Sequence, residues 1–438
     1  MASQSRSVRA RRPRAWAGLV AAALLATGLA ACGTESGPPT LSWYINPDSG
    51  GQAEIAGRCT AATQGRYRIE TTLLPREASA QREQLVRRLA ANDSSIDLMS
   101  LDPPFIPEFA EAGFLAEIPE DVATEVTDGV VESAVQGSTW EGRVVTVPFW
   151  ANTQLLWYRK SVAQAAGLDL SGPVTWDQLI EAATAQNTTI AAQGIRAEAL
   201  TVLVNAVVAS AGGTIVLTPD APPDEVELGI DDARGRRAAE VIQNIANSAA
   251  AGPALNTRNE DASATLFEQG AAAFMVNWPF VFPRGQGAVE DGTLTQSALD
   301  DYGWALYPAV DAGTPSAPPY GGINLGIGAF SEHPDLALEA AQCIVSAENQ
   351  AYYFVTNGNP AALESVYDDQ EVVQAFPMAS TIRESLRRAA PRPQTPYYNE
   401  VSSTIQRTWH PLGSVNPATT PARTADIIRA VLRKEDLL

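Results

Sequence analysis

The chain has 438 residues, with 30 lysines and arginines against 50 aspartates and glutamates, so its formal net charge is −20 at pH 7. A protein this acidic is not drawn to nucleic acid or to anionic lipid by its charge, which argues against both as partners. No long block of one charge sign is present, so we expect a solvated acidic surface. The length exceeds what one core usually supports and predicts two domains.

The N-terminus has the pattern of a secretory signal. Five arginines between Arg6 and Arg14 precede the apolar run AWAGLVAAALLATGLAAC. A basic stretch followed by a short apolar run is typical of a signal peptide, and the run is too short and too rich in alanine to predict a transmembrane helix. It ends in LAAC, which resembles a bacterial lipobox. Residues 1–31 are therefore predicted to be removed and Cys32 to carry lipid, the alternative being an ordinary signal with a chance cysteine.

Residues 32–40 are polar and contain glycine and proline, which is the composition of a tether. Loss of residues 1–31 removes five positive charges and no negative ones, so the formal charge changes from −20 to −25. The mature protein is predicted to be held at the extracellular face of the cell membrane by its acyl chains.

Two further cysteines, Cys59 and Cys343, lie in the helical patterns EIAGRCTAAT and ALEAAQCIVS. Outside the membrane, such a pair is more often a disulfide than a metal site. A disulfide would place both segments in one lobe, whereas two unrelated buried thiols would carry no such implication.

The first part of the folded chain alternates strands and helices. LSWYI predicts a buried strand, followed by a helix to about Gln64, a strand at YRIETTLL, a helix at SAQREQLVRRLAAN capped by Ser79, and a strand at IDLMSLD. This alternation predicts an α/β fold with a mostly parallel sheet. Ligands of such sheets bind beyond the carboxyl ends of the strands, where Asn46, Asp48 and Asp102 are expected.

The pattern becomes more irregular after residue 142. Two β-rich runs flank a predicted break at FWAN, and Thr175 is expected to open the helix TWDQLIEAATAQ. ALTVLVNAVVASAGG predicts an apolar helix that ends at a glycine pair. YGWALYPAV and GGINLGIGAF predict strands, PDLALEAAQCIVSAENQAYYFVTNG predicts one long helical stretch, and the C-terminal part is expected to be largely helical.

The sequence lacks the motifs of most enzymes. Its two histidines, His333 and His410, each precede a proline, and it has no HExxH, CxxC, GxSxG or P-loop motif. We therefore expect no catalytic residue, no metal and no cofactor. A glycosidase needs only two carboxylates, which counting cannot exclude among 50 acidic residues, so a secreted glycosidase is the alternative class.

Polar and aromatic side chains cluster at the ends and breaks of the predicted elements. Carboxylates and amides bind pairs of hydroxyls, and aromatic rings cover the apolar face of a sugar, so this set suits a neutral polyhydroxylated ligand. The candidate side chains are Asn46, Asp48, Asp102, Asn152, Glu268, Asn277, Trp278 and Arg392.

Four stretches together carry a family resemblance: NTQLLWYR, FEQGAAAFMVNWPF, GGINLGI and RPQTPYY. They resemble the extracellular solute-binding proteins of carbohydrate ABC importers, and in particular the trehalose-binding lipoproteins of mycobacterial trehalose-recycling importers. The resemblance extends through most of the mature chain and includes the positions of Cys59 and Cys343. The loop NPDSGG departs from it, so either Asn46 or Asp48 could serve there.

The resemblance implies a two-lobe periplasmic-binding-protein fold of the sugar-binding type II, an α/β fold with mixed sheets flanked by helices. Residues 41–151 and about 302–350 would form the N-terminal lobe, and residues 152–301 and about 351–438 the C-terminal lobe. The implied ligand contacts are Asp102 and Asn152, then Glu268 and Trp278, backbone N–H groups of Gly322 and Ile323, and Arg392 from the C-terminal segment.

The resulting hypothesis is a monomeric lipoprotein without cofactor that captures trehalose between its lobes and delivers it to ABC permease subunits. A trehalose analogue, maltose or sucrose is the alternative ligand. An interaction protein that kept the fold and lost the site is a third possibility.

Overall fold

The computed structural model describes residues 37–437. The predicted signal peptide and Cys32 lie outside these residues, so the model does not bear on them. The chain from Thr40 onward forms one compact unit. Within the described part, no helix is long and apolar enough to cross a bilayer.

Eleven strands form two main sheets and a small hairpin within the described residues. The first sheet has the order β2-β1-β3-β11-β6, the second the order β10-β7-β9-β8, and β4 pairs with β5. Their bounds are β1 Thr40–Ile45, β2 Arg68–Leu73, β3 Leu98–Leu101, β4 Thr139–Trp140, β5 Arg143–Val144, β6 Val147–Thr153, β7 Leu155–Arg159, β8 Thr189–Ala191, β9 Ala272–Asn277, β10 Tyr302–Ala305 and β11 Tyr320–Ile327.

Helices flank both sheets. Their bounds are α1 Gly51–Ala62, α2 Ala78–Leu89, α3 Ile106–Glu111, α4 Glu120–Thr127, α5 Glu132–Gly137, α6 Lys160–Ala166, α7 Trp176–Ala185, α8 Glu198–Ser210, α9 Ala233–Asn247, α10 Glu260–Glu268, α11 Val281–Glu290, α12 Gln296–Asp300, α13 Pro334–Ile344, α14 Ala347–Asn357, α15 Gln370–Ala375, α16 Ala379–Arg388, α17 Tyr398–Thr408 and α18 Thr420–Leu432.

The first sheet is buried on both faces. Strand β1 pairs in parallel with β2 and β3, and β11 runs antiparallel to β3 and β6. Successive side chains point to opposite faces of a strand. Accordingly, Trp43 and Leu98 pack into one apolar cluster, and their neighbours Tyr44 and Met99 pack into another.

The second sheet follows the same rule. Strand β7 is antiparallel to both β9 and β10, and β8 is parallel to β9. Leu156 and Phe274 pack into a cluster with the apolar helix α8, whereas Trp157 and Met275 pack into the cluster on the opposite face. The two-lobe α/β fold predicted from the sequence is thereby confirmed, with mixed rather than mostly parallel sheets.

The chain passes between the sheets more than once. Strand β6 belongs to the first sheet and β7 to the second, with only the buried Gln154 between them. The prediction of a break at FWAN is wrong, because these residues form the middle of β6. The strand pairs with β11 on one side and forms a bridge to Ala361, and these partners keep it extended. The return to the first sheet occurs between β10 and β11.

Strand β10 corrects one predicted boundary. The predicted N-terminal lobe includes residues from about 302 onward and hence β10, but β10 pairs with β7 in the second sheet. The other predicted lobe boundaries stay predictions.

Three local predictions about helices had different outcomes. Thr175 opens α7 with a capping box, since its hydroxyl accepts from the Gln178 N–H and the Gln178 side chain accepts from the Thr175 N–H. Ser79 does not cap α2, because that helix already begins at Ala78 after the extended residue Glu77. The predicted long helical stretch consists of two helices, α13 and α14, separated at Val345 and Ser346.

Cys59 of α1 and Cys343 of α13 form a disulfide, as the sequence predicted. It closes a loop with a sequence separation of 284 residues inside the first lobe. Cross-linking a loop restricts the unfolded chain, and native disulfides typically contribute about 2–4 kcal/mol.

We expect the double replacement of Cys59 and Cys343 by alanine to lower the free energy of unfolding by about 2–4 kcal/mol. Sugar affinity should change little, since neither residue lines the cleft described below. Urea unfolding followed by tryptophan fluorescence measures the stability, and the reduced wild-type protein is the matched control. Equal stability of the variant and the oxidised protein would contradict the prediction.

Candidate functional site: a cleft between the two lobes

A cleft of about 510 Å³ lies between the two lobes and is lined by residues from both. Eight of the ten predicted ligand-binding residues line it, although they are spread over almost 350 positions of sequence. These are Asn46, Asp48, Asp102, Asn152, Trp278, Gly322, Ile323 and Arg392. The structure does not bring Glu268 or Asn277 to the cleft.

Arg392 joins the two walls of the cleft. One guanidinium nitrogen donates to Asp102 Oδ1, which follows β3 of the first sheet, at 2.5 Å. The other terminal nitrogen donates to Glu198 Oε1, in the first turn of α8, at 2.7 Å. Arg392 is only 5% exposed, and its Nε is buried without a partner among the described residues. The guanidinium is thus held from two sides and keeps one donor unused.

Glu198 is itself fixed by the C-terminal helix α17. Its carboxylate accepts from the Tyr398 hydroxyl and, at 2.7 Å, from Ser402 Oγ. Burial lowers the pKa of Arg392, but the negative charges of Asp102 and Glu198 raise it well above its usual value. Burial raises the pKa of Asp102, and the Arg392 charge opposes that effect. Arginine stays protonated in proteins, so this cluster keeps a positive centre in the cleft.

Trp278 reaches across from the second lobe to the first. It follows β9, and its indole lies against Gly321 of β11, where a Cβ atom would sit 3.0 Å from the ring. The next residue, Gly322, has a φ of +126°, and a Cβ there would be 2.2 Å from the Trp150 carbonyl oxygen. Only glycine tolerates both the backbone angle and this approach. Gly321 therefore makes room for the Trp278 indole, and Gly322 allows β11 to approach the backbone of β6 closely.

Asn46 and Asp48 lie in the first loop at the end of β1. The Asp48 carboxylate binds the backbone at the start of α1, because Oδ1 accepts from the Gly50 N–H at 2.9 Å and Oδ2 from the Gln52 N–H at 2.8 Å. Asn46 Oδ1, in contrast, is buried without a partner among the described residues. Asn46 is therefore the residue of the two with an unused acceptor.

Asn277 was predicted to bind ligand, and the structure contradicts this. The residue is fully buried at the end of β9 and holds the adjacent turn. Its Oδ1 accepts from the Trp278 N–H at 2.9 Å, and its Nδ2 donates to the Glu260 carbonyl at 3.0 Å. Asn277 therefore positions Trp278 and Glu260 rather than facing the cleft.

Glu268 was also predicted as a contact, but it ends α10 outside the cleft and binds Arg284, whose Nε donates to it at 2.6 Å. The cleft carboxylates from this helix are Glu260 and Asp261, at the opposite end of α10. The eight-residue separation corresponds to about 12 Å along a helix. Strand β9 returns antiparallel to α10, so its end at Trp278 meets the start of the helix.

Several lining residues were not predicted. Glu198 could have been suspected, because it is the only charged residue in a helix of thirteen that is otherwise apolar or uncharged. Glu260 had no comparable signal, since it is followed by Asp261 and looks like an ordinary acidic first turn. The other polar lining residues missed by sequence reasoning are Ser49, Arg76, Glu77, Gln81, Asn259, Asp261, Asn357 and Asn359.

The described residues include no group of three or more histidines, cysteines or carboxylates placed to hold a metal ion. The cleft has side chains that donate hydrogen bonds, side chains that accept them, and the indole of Trp278, arranged in two facing walls. Such a site is built to enclose a small polar molecule.

Comparison with known proteins identifies the family. The model of the family described as bacterial extracellular solute-binding protein matches residues 67–351. The chain belongs to this family. Over 350 residues, this solute-binding protein is 24% identical to a probable ABC transporter-binding protein of Deinococcus radiodurans, in a match that covers 76% of this chain and 79% of the relative.

Solved structures of similar fold support the two-lobe architecture. Maltose-bound MalE3 of T. maritima is 24% identical, with a TM-score of 0.74 and coverage of 90% of this solute-binding protein and 99% of that chain. The GacH receptor of Streptomyces glaucescens, described unliganded and in complex with acarbose, is 20% identical, with a TM-score of 0.75 and coverage of 91% and 100%. At these identities the likeness concerns the fold.

Proposed function

We propose that the protein captures a small neutral sugar in the cleft, with trehalose as the first candidate, and delivers it to the permease of an ABC importer. The observation that carries the proposal is the composition of the two walls. Trp278 offers a flat apolar surface, and the amides and carboxylates around it offer acceptors for hydroxyl groups. A volume of about 510 Å³ is within the range of small-molecule sites, about 300–1,000 Å³.

Trehalose is favoured over other sugars by the family resemblance of the sequence. The stretches FEQGAAAFMVNWPF and RPQTPYY carry Trp278 and Arg392, which both line the cleft. Two carboxylates and a guanidinium from different walls can bind hydroxyls on both rings of a disaccharide. Maltose, sucrose and trehalose analogues are the competing ligands, since they present similar sets of hydroxyls.

Isothermal titration calorimetry of the chain from Gly33 onward tests this proposal, because the part from Thr40 forms one compact unit. We expect saturable one-to-one binding of trehalose and much weaker binding of maltose, sucrose and glucose. Stronger binding of one of the other sugars would reassign the ligand. No heat with any of them would overturn the proposal of a sugar-binding protein of this kind.

We also propose binding without turnover, with the two lobes closing on the ligand as a hinge. Incubation with trehalose or maltose should release no glucose in a coupled enzymatic assay. Glucose released in proportion to protein would favour the alternative of a secreted glycosidase.

The proposed location is the extracellular face of the cell membrane, with the monomeric protein held through lipid on Cys32. Mass spectrometry of the detergent-extracted protein should find an acylated N-terminal cysteine. Recovery of an unmodified Cys32 within an intact chain would overturn the anchor.

A further inference from the structure

The walls of the cleft carry an excess of negative charge. Six acidic residues and two arginines line it, which leaves a formal excess of four negative charges. The acidic residues are Asp48, Glu77, Asp102, Glu198, Glu260 and Asp261, and the basic ones are Arg76 and Arg392. Charges that are partly shielded from water interact more strongly than charges in bulk water. The sign of a ligand's charge should therefore affect its binding.

Both arginines already have carboxylate partners within the cleft. Arg392 lies between Asp102 and Glu198, and Arg76 faces Asp261 at 3.8 Å. An anionic ligand would have to compete with these carboxylates for each guanidinium. The buried guanidinium of the cleft is therefore already paired with carboxylates, whereas the Arg76–Asp261 pair is exposed and weak.

Glu260 differs from Asp102 and Glu198, the cleft carboxylates that pair with Arg392. Asp48 and Glu77 also lack an ion pair among the described residues, but Asp48 accepts two backbone N–H groups and Glu77 is exposed. Glu260 is partly buried in the first turn of α10, and none of the ion pairs formed among residues 37–437 includes it. Burial raises its pKa, its own backbone N–H lowers it, and the charges of Asp261 and Glu77 raise it again. Arg76 and Arg284 pair with Asp261 rather than with Glu260, so the Glu260 carboxylate has no counter-charge of its own among the described residues.

Trp278 and Glu260 both line this part of the cleft, and the nearby Trp278 side chain opposes the rise that burial causes in the Glu260 pKa. An indole face attracts a cation, and a carboxylate strengthens any hydrogen bond from a charged donor. Asn277 fixes the two together by bonding both backbones. This corner of the cleft therefore combines two groups that favour an ammonium group.

We infer that the cleft selects sugars by charge, accepting neutral sugars, binding amino sugars more tightly and rejecting sugar phosphates, and that Glu260 is the residue that determines this order. The inference rests on the proposed function, because it describes the ligand class of the same site. It extends that function from trehalose itself to sugars that carry a protonated amine.

The test compares trehalose, its 2-amino and 6-amino derivatives and trehalose 6-phosphate by calorimetry at pH 6.5, on the wild-type protein and the variant Glu260→Gln. We expect at least one amino derivative to bind about tenfold more tightly than trehalose, and the 6-phosphate about 100-fold more weakly. In Glu260→Gln, the ratio of the affinity for the amino derivative to the affinity for the 6-phosphate should shrink at least tenfold. Comparing this ratio between the wild-type protein and the variant cancels the steric differences between the ligands.

Glu268→Gln is the matched control, since it removes the same charge from the same helix outside the cleft. It should leave the affinity ratio unchanged, within about twofold. An unchanged ratio in Glu260→Gln would overturn the inference, as would binding of the 6-phosphate within threefold of trehalose.

A parallel series of glucose, glucosamine and glucose 6-phosphate separates this inference from the trehalose proposal. If trehalose fails to bind while glucosamine binds more tightly than glucose, the trehalose assignment falls and charge selection stands. If trehalose binds and neither series depends on charge, the proposed function stands and charge selection falls. If no ligand of either series binds, both fall.

Discussion

Replacement of Arg392 by alanine is expected to abolish sugar binding and to lower the free energy of unfolding at the same time. The side chain is buried between Asp102 and Glu198, which approach it from the two lobes. Removing one partner of a buried ion pair costs about 3–5 kcal/mol, because the remaining carboxylates lose their counter-charge away from water. Urea unfolding without sugar measures the stability, and calorimetry with trehalose measures the binding.

Arg387→Ala is the control for this prediction. Arg387 also binds a glutamate, Glu364, but the two side chains are 50% and 37% exposed. Exposed ion pairs contribute about 0–1 kcal/mol, so this variant should unfold almost as the wild-type protein does. Equal unfolding curves for Arg392→Ala and Arg387→Ala would show that the buried cluster does not stabilise the protein.

Replacement of Trp278 by alanine is expected to weaken trehalose binding without destabilising the fold. The indole is only partly buried and lies at the cleft rather than in one of the apolar clusters. Covering an aromatic side chain contributes about 1.5–3 kcal/mol, which corresponds to a roughly 10- to 150-fold loss of affinity. Calorimetry measures the affinity, and thermal unfolding of the sugar-free protein checks the fold.

Trp304→Ala is the matched control for Trp278→Ala. Trp304 lies on β10 of the same lobe, is also partly buried, and packs edge-on against Phe282 outside the cleft. Its removal should change the trehalose affinity less than about twofold. A loss of affinity equal to that of Trp278→Ala would place the sugar elsewhere or make the effect indirect.

The fold was largely predictable from the sequence because its elements have clear local patterns. The strand LSWYI and the capped start of α7 depend on residues close in sequence, and both are found where the pattern indicates. The predicted break at FWAN failed for the opposite reason. Residues 147–153 stay extended because β11 and the segment at Ala361 flank them, and these partners are more than 150 positions away.

The site was predictable in its main side chains and not in their partners. Trp278 and Arg392 stood out through the motifs around them, but the pairing of Arg392 with Asp102 joins positions 290 apart, and its pairing with Glu198 joins positions 194 apart. No local pattern encodes such contacts. The sequence predicted Glu268 where the structure has Glu260, and the cause is similar. Only the antiparallel return of β9 shows which end of α10 faces the cleft.

The disulfide between Cys59 and Cys343 has a practical consequence for measuring ligand capture. The protein has three cysteines, and the third is Cys32. The chain from Gly33 onward therefore contains no free thiol as long as the disulfide is intact. A cysteine introduced for Ser49, an exposed residue at the rim of the cleft, would be the single attachment point for an environment-sensitive fluorophore. The protein could then serve as an optical sensor that reports its sugar in real time.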